Sequence, residues 1–175
     1  MAERIDLSAA APFVLTAELD SESFSRLNEL RRRYYAPERN RVPAHITLFH
    51  QLPGERGREV KALLRAVSSE QPVLEIAMTE VKSIGTGVAV FVRSAQLSAL
   101  RDKLAAEWWP WLTNQDQAGV RPHVTIQNKV GEAEARQTQR EVSATLNLRN
   151  MRGVGLHLWR YRNGPWEDVQ LFRFR

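Results

Sequence analysis

Pro43-Ala44-His45-Ile46-Thr47-Leu48-Phe49-His50 and Arg121-Pro122-His123-Val124-Thr125-Ile126-Gln127 share one short pattern, a histidine shortly after a proline, followed by apolar, threonine, apolar. In extended backbone successive side chains point to opposite faces, so His45 and Thr47 share one face and Ile46 and Leu48 the other. The second stretch divides in the same way, His123 and Thr125 against Val124 and Ile126. Each is read as a half-buried strand, 45–50 and 122–127, with an imidazole beside a hydroxyl on its open face and aliphatic anchors behind. Two such strands facing each other can clamp one small anion.

Working outward, 12–19 reads as a strand, and 21–34 as a helix capped by Asp20 or Ser21 with Phe24, Leu27 and Leu30 at helical spacing. A proline-bounded basic loop, 36–43, leads into the first motif. Helix 59–69 carries Val60, Leu63, Leu64 and Val67 on one face, and 73–84 with 88–93 form a hairpin turned by Gly85-Thr86-Gly87. A helix over 95–112 ends in Trp108, Trp109 and Trp111, read as an apolar helix end packed on the sheet. After the second motif come a helix over 132–146 and strands 153–162 and 167–174, joined at Asn163-Gly164.

Superposing the halves at the 78-residue spacing of the motif histidines places Phe13-Val14 on Phe91-Val92. Both halves then read strand, helix, His-x-Thr strand, helix, strand. No linker rich in Gly, Ser or Pro separates them, so the expectation is one α+β domain built of two related lobes, with approximate repeats 12–84 and 88–175.

The 175 residues, 43% hydrophobic, suffice for a substantial core. The absence of cysteine excludes disulfides, thiolate nucleophiles, zinc-cysteine sites and iron–sulfur clusters. No apolar run reaches the roughly 18 residues of a membrane span, and Met1 to Asp6 lacks the start of a leader, so a soluble cytoplasmic protein without a membrane partner is expected. Of 25 basic residues only Lys61, Lys82, Lys103 and Lys129 are lysine. Guanidinium suits phosphate because its planar fork donates two parallel hydrogen bonds. A net charge of +5 is equally compatible with solvated helix faces and does not by itself define a nucleic-acid binder.

With two His-x-Thr strands in two topologically similar halves, the sequence resembles the two-histidine phosphoesterase superfamily. Within it, the resemblance is to the bacterial and archaeal group named for 2′-5′ RNA ligase and 2′,3′-cyclic phosphodiesterase. His45-Ile46-Thr47-Leu48 and His123-Val124-Thr125-Ile126 both match that family's pattern of His, apolar, Thr, apolar. The resemblance implies a bilobal α+β fold, two pseudo-symmetric lobes whose antiparallel-rich sheets line a central groove with both histidines and both threonines at its floor. It further implies phosphodiester chemistry on RNA or nucleotides, with no metal and no cofactor.

The chemistry can also be argued from the residues. Opening a 2′,3′-cyclic phosphate needs a base for the attacking water and an acid for the departing ribose oxygen, and imidazole supplies both forms near neutrality. His45 and His123 are the catalytic candidates, with neither assigned as base, and Thr47 and Thr125 would donate to the non-bridging oxygens. If a 5′-hydroxyl of another RNA replaces water, the same site makes a phosphodiester instead, as a 2′-5′ ligase. Phe49 continues the alternation of His45 and Thr47, and is read either as a base-stacking residue or as a packing residue. Gln127, its counterpart, is available to a base edge or sugar. Arg121, Arg41 and Lys129 flank the motifs and either meet phosphate or are solvated. His50 and His157 carry no such threonine and are read as surface or packing residues. On 153–162, His157, Trp159 and Tyr161 share one face.

The leading expectation is a monomeric, metal-independent phosphoesterase acting on RNA with 2′,3′-cyclic phosphate ends or on a cyclic nucleotide. A binding module for RNA or nucleotides without turnover is the alternative, although such a module has no need of a paired acid and base. A metal hydrolase built on the two histidines is disfavoured, because no acidic residue lies within either motif.

Overall fold

The computed structural model describes residues 11–175, and Met1 to Asp6, read above for a leader, lies outside the described residues. Strand β1 (Phe13–Leu19) runs into helix α1 (Ser21–Tyr34) through Asp20, whose carboxylate accepts from the Ser23 amide at 3.0 Å. Strand β2 (Ile46–Leu52) carries the first motif, and α2 (Gly57–Glu70) returns the chain to the hairpin of β3 (Leu74–Ser83) and β4 (Val88–Arg93). Gly87 in that hairpin has no alternative, because a Cβ there would collide with the Gln127 carbonyl.

Helix α3 (Ala95–Trp108) starts at Ser94, whose hydroxyl accepts from the Leu97 amide at 3.1 Å. It stops short of the predicted residue 112. Pro110 cannot donate to the helical ladder, so the chain tightens into a 3₁₀ turn, Trp109–Trp111. A one-turn helix α4 (Asn114–Gln117), not read from the sequence, follows. Trp108 is buried as expected, but Trp109 remains 51% exposed. Strand β5 (His123–Gln127) carries the second motif, followed by α5 (Glu132–Thr145), β6 (Asn150–Arg160) and β7 (Glu167–Arg173).

All pairings are antiparallel, in the order β2-β1-β6-β3-β4-β5 with β7 also on β6. β6 pairs with β1 along one side; on the other it pairs first with β3, through Asn150–Gly153, then with β7. Each half thus gives its third strand to the other: β3 joins β4 and β5, and β6 joins β1 and β2. The halves in space, β2-β1-β6-β7 and β3-β4-β5, differ from the halves along the chain. The constant 78-residue register also fails for the first strands. Thr16 opposes Thr47 and Ala89 opposes Thr125, so Thr16 corresponds to Ala89, and Phe13-Val14 does not correspond to Phe91-Val92. The extra 3₁₀ turn and α4 lengthen the connection before β5 and cause the offset.

The motif strands occupy the two ends of this sheet. At about 4.8 Å per strand they would lie far apart if the sheet were flat. The sheet instead curls into a half-barrel that brings β2 and β5 into contact. Ile46, Leu48, Val124 and Ile126 are buried in one core with Leu15, Leu97 and Leu104, which fixes the faces of both strands.

Candidate active site

The same irregularity follows both motifs. On β2 the partners of Thr16 and Leu15 are Thr47 and Phe49, leaving Leu48 as an extra residue; on β5 the partners of Ala89 and Val88 are Thr125 and Gln127, leaving Ile126 extra. A bulge breaks the strict alternation, so the residues after it turn inward. Phe49 is wholly buried, edge-on to Trp108 at 5.3 Å between ring centroids. Gln127 is also buried, its amide donating to Thr138 Oγ1 at 2.9 Å. Neither reaches the groove: Phe49 is the packing residue of its two readings, and Gln127 is not available to a base edge or sugar, contrary to the expectation from uninterrupted alternation. Both strands otherwise keep the predicted faces, with Thr47 and Thr125 half-buried opposite their aliphatic anchors.

The two imidazoles are framed alike. His45 Nδ1 is 2.7 Å from the Pro43 carbonyl, and His123 Nδ1 is 2.8 Å from the Arg121 carbonyl. A carbonyl can only accept, so Nδ1 carries the proton in both rings and Nε2 is left free for chemistry. Their electrical settings differ. Burial pushes the His45 pKa down to about 4, more than the Pro43 carbonyl can offset, and the charges of Arg31, His123 and His50 push the same way. His45 is therefore neutral around neutrality, a state suited to accepting a proton.

Aromatic rings line the side of the groove next to His45. Trp166 lies 4.8 Å from the His45 ring and 6.1 Å from Trp159, which stacks on His157 at 3.8 Å. Trp159 Nε1 is anchored on Thr16 Oγ1 at 3.0 Å. His157 bridges two carboxylates, Glu18 at 3.4 Å and Asp168 at 3.0 Å. Burial disfavours its charge, but the two carboxylates prevail and its pKa is raised. Beside His123 the setting is different: Phe91 lies 5.2 Å from the ring, with the Arg121 guanidinium over Phe91 and paired to Glu80 at 3.2 Å.

Of the predicted basic residues, Arg121 is the one placed next to a motif histidine. Arg41 lies in the loop before β2, with Nη1 within 4.0 Å of a Cβ built on Gly164 in the β6–β7 turn. Lys129 follows β5 at a positive φ of 60°, and its carbonyl accepts from Arg39 Nη1 at 3.0 Å. The loops flanking the two motifs therefore touch. His50 lies outside the pair, its Nδ1 3.0 Å from the buried Asp116 carboxylate. Among the described residues, no group of three or more His, Cys, Asp or Glu side chains is placed to hold a metal ion.

Sequence reading missed Trp166, Asp116 and two buried arginines, Arg31 and Arg101. The arginines did leave a signal. Arg31 continues the stripe of Ser23 and Leu27, and Arg101 stands between Leu97 and Ala105, each at a spacing that a core-facing helix reserves for apolar residues.

A curled antiparallel sheet with a His-x-Thr strand at either end, both rings held through Nδ1, defines the two-histidine phosphoesterase class. A family model described as the 2′-5′ RNA ligase superfamily matches residues 19–165, and the chain belongs to that superfamily. Solved structures agree on the fold. TT0787 of Thermus thermophilus aligns with a TM-score of 0.63 at 14% identity, covering 94% of this chain and 98% of its own. E. coli LigT complexed with 3′-AMP gives 0.64 at 14%, with the same coverages of 94% and 98%. Kluyveromyces marxianus Usb1 with uridine monophosphate gives 0.51 at 12%, covering 96% of this chain and all of that one. No curated protein matches the chain in sequence.

Proposed function

We propose that the protein opens 2′,3′-cyclic phosphates of RNA ends or nucleotides by metal-independent acid–base catalysis, with 2′-5′ ligation where a 5′-hydroxyl takes the place of water. The observation that carries this reading is the matched pair of imidazoles, each with Nδ1 bonded to a carbonyl of its own chain and Nε2 free.

His45, held neutral, acts as the base. Its Nε2 takes a proton from water as the water oxygen bonds to phosphorus, and the bond from phosphorus to one ribose oxygen breaks. His123, entering the step as the imidazolium, donates its Nε2 proton to that departing oxygen, and the product is a phosphomonoester. The threonines donate their hydroxyl protons to the non-bridging oxygens, where charge builds in the transition state. Trp166 and Trp159 form the wall against which the base of the terminal nucleoside lies, as aromatic side chains do in single-stranded RNA sites. Arg121, Arg41 and Lys129 serve the phosphates of flanking nucleotides. That LigT was solved with 3′-AMP and Usb1 with uridine monophosphate supports a nucleotide in this groove.

The test is turnover of a 2′,3′-cyclic nucleotide and of a short RNA ending in 2′,3′-cyclic phosphate, in the presence of EDTA. The expected result is a monophosphate product, with His45→Ala and His123→Ala each slower by about a hundred- to ten-thousand-fold. Binding of the same RNA without turnover would overturn the catalytic reading in favour of a binding module.

A further inference from the structure

Strands at the ends of a sheet present backbone groups that have no ladder partner. Here the two end strands are the motif strands, and their outward carbonyls meet arginines instead. Arg31, on α1 of the first half, donates from Nη1 to the Thr125 carbonyl in the second motif at 2.7 Å, and from Nε to Asn40 Oδ1 at 3.2 Å. Arg101, on α3 of the second half, donates from Nε to the Leu48 carbonyl in the first motif at 3.1 Å, and from Nη2 to the Asp116 carbonyl at 2.6 Å.

The arrangement is reciprocal. Each half sends one guanidinium across to the bulged motif strand of the other. Both side chains are buried, at 4% and 6% exposure, and both lie over aromatic rings, Arg31 over Tyr35 at 4.4 Å and Arg101 over Phe49 at 4.6 Å. A buried guanidinium is costly unless its donors are used, and here one donor of each goes to the backbone of a catalytic strand and another to Asn40 Oδ1 or to the Asp116 carbonyl, none to a carboxylate.

We propose that Arg31 and Arg101 are positioning residues that set the separation and facing of the two catalytic histidines, by tying each motif strand to a helix of the opposite half. This rests on the proposed acid–base reaction for its meaning. The curled sheet alone does not fix that separation, because β2 and β5 lie at its two ends and small changes in curl add up across the strands between them. The clamps remove that freedom on the motif strands themselves, at Thr125 two residues after His123 and at Leu48 three residues after His45. Arg31 has a second effect, since its charge also faces His45, as do those of His123 from β5 and His50 from β2.

The experiment uses the full chain with 2′,3′-cyclic AMP as substrate. Arg31→Gln, Arg101→Gln and the two lysine variants are each expected to lose about ten- to a hundredfold in kcat with KM within about threefold, because an ångström of misplacement carries a cost of that order. Lysine does not rescue, since one ammonium cannot reproduce a fork that spans two acceptors. Val142→Ala, a buried change in α5 away from the groove, is the control. It lowers Tm and leaves kcat unchanged. In Arg31→Gln the acid limb of the pH–rate profile also moves to higher pH, and in Arg101→Gln it does not. Asn40→Ala removes only the lateral anchor of Arg31 and is expected to lower kcat several-fold without threatening the fold. Unchanged kcat in Asn40→Ala and in the folded arginine variants overturns the proposal.

If the wild type turns over no cyclic phosphate, the proposed function fails and the clamps are read without substrate. Residual dipolar couplings of β2 and β5 amides then decide. They should fit one alignment frame in the wild type and diverge in the arginine variants, whereas one shared frame in every variant overturns the clamps.

Discussion

His45 and His123 have the same backbone frame and different surroundings, and the difference predicts the shape of the pH profile. A base held down to about 4 by burial and by the charges of Arg31, His123 and His50 stays neutral well into the acid range. kcat/KM should therefore persist below pH 6 and fall only as the pH passes through about 4. An acid limb near the ordinary histidine value of about 6.5 would remove His45 from the role of base. Thr47→Val and Thr125→Val keep volume and lose the hydroxyl. Each should lower kcat by about a hundredfold with Tm little changed, measured by steady-state kinetics beside a thermal melt. At this scale the sequence was legible where the period-two rule applies, because His, Thr and their aliphatic anchors are local. Phe49 and Gln127 were not legible, since the bulges that turn them inward depend on partners β1 and β4, and nothing in either motif marks them.

Among the elements, α4 shows how a short piece of chain controls a strand edge. Its Asp116 accepts from the amides of His50 and Gln51 on β2 at 2.9 and 3.0 Å, where a further strand would otherwise pair. Burial works against the Asp116 charge, but the His50 imidazole and the two amides outweigh it, so its pKa is lowered. A lowered carboxyl contributes stability above the unfolded value of about 3.9, and that stability is lost as pH falls through the folded value. Asp116→Asn should therefore cost about 2 kcal/mol at neutral pH, with the gap to wild type closing below about pH 4, as measured by urea unfolding at both pH values. The longer helices were legible from apolar periodicity and from the caps at Asp20 and Ser94. α4 was not, because four residues are too few for periodicity and its place is set by contacts with β2. The early end of α3 was available in Pro110, and the apolar tryptophans beyond it masked the break.

For the molecule as a whole, the repeated order of elements was legible and the exchange of β3 and β6 was not, because pairing between distant strands leaves no local trace. That exchange makes the final segment indispensable. A chain ending at residue 146 keeps both motifs and helices α1 to α5 but leaves the inner edges of β1 and β3 without their shared partner β6. Such a fragment is expected to show no cooperative thermal transition by circular dichroism, and addition of the 147–175 segment in trans should restore one. A cooperative transition in the fragment alone would show that β6 is dispensable for folding.

The position of β6 also orders events at the ribosome. β1 precedes the other described strands, yet its inner partner is made after both motifs have been translated. At about 5–20 residues per second, that edge waits several seconds, an interval in which an unpaired apolar strand is open to any chaperone or neighbouring nascent chain. The site thus cannot assemble until β6 has been made, long after both motif strands have been translated.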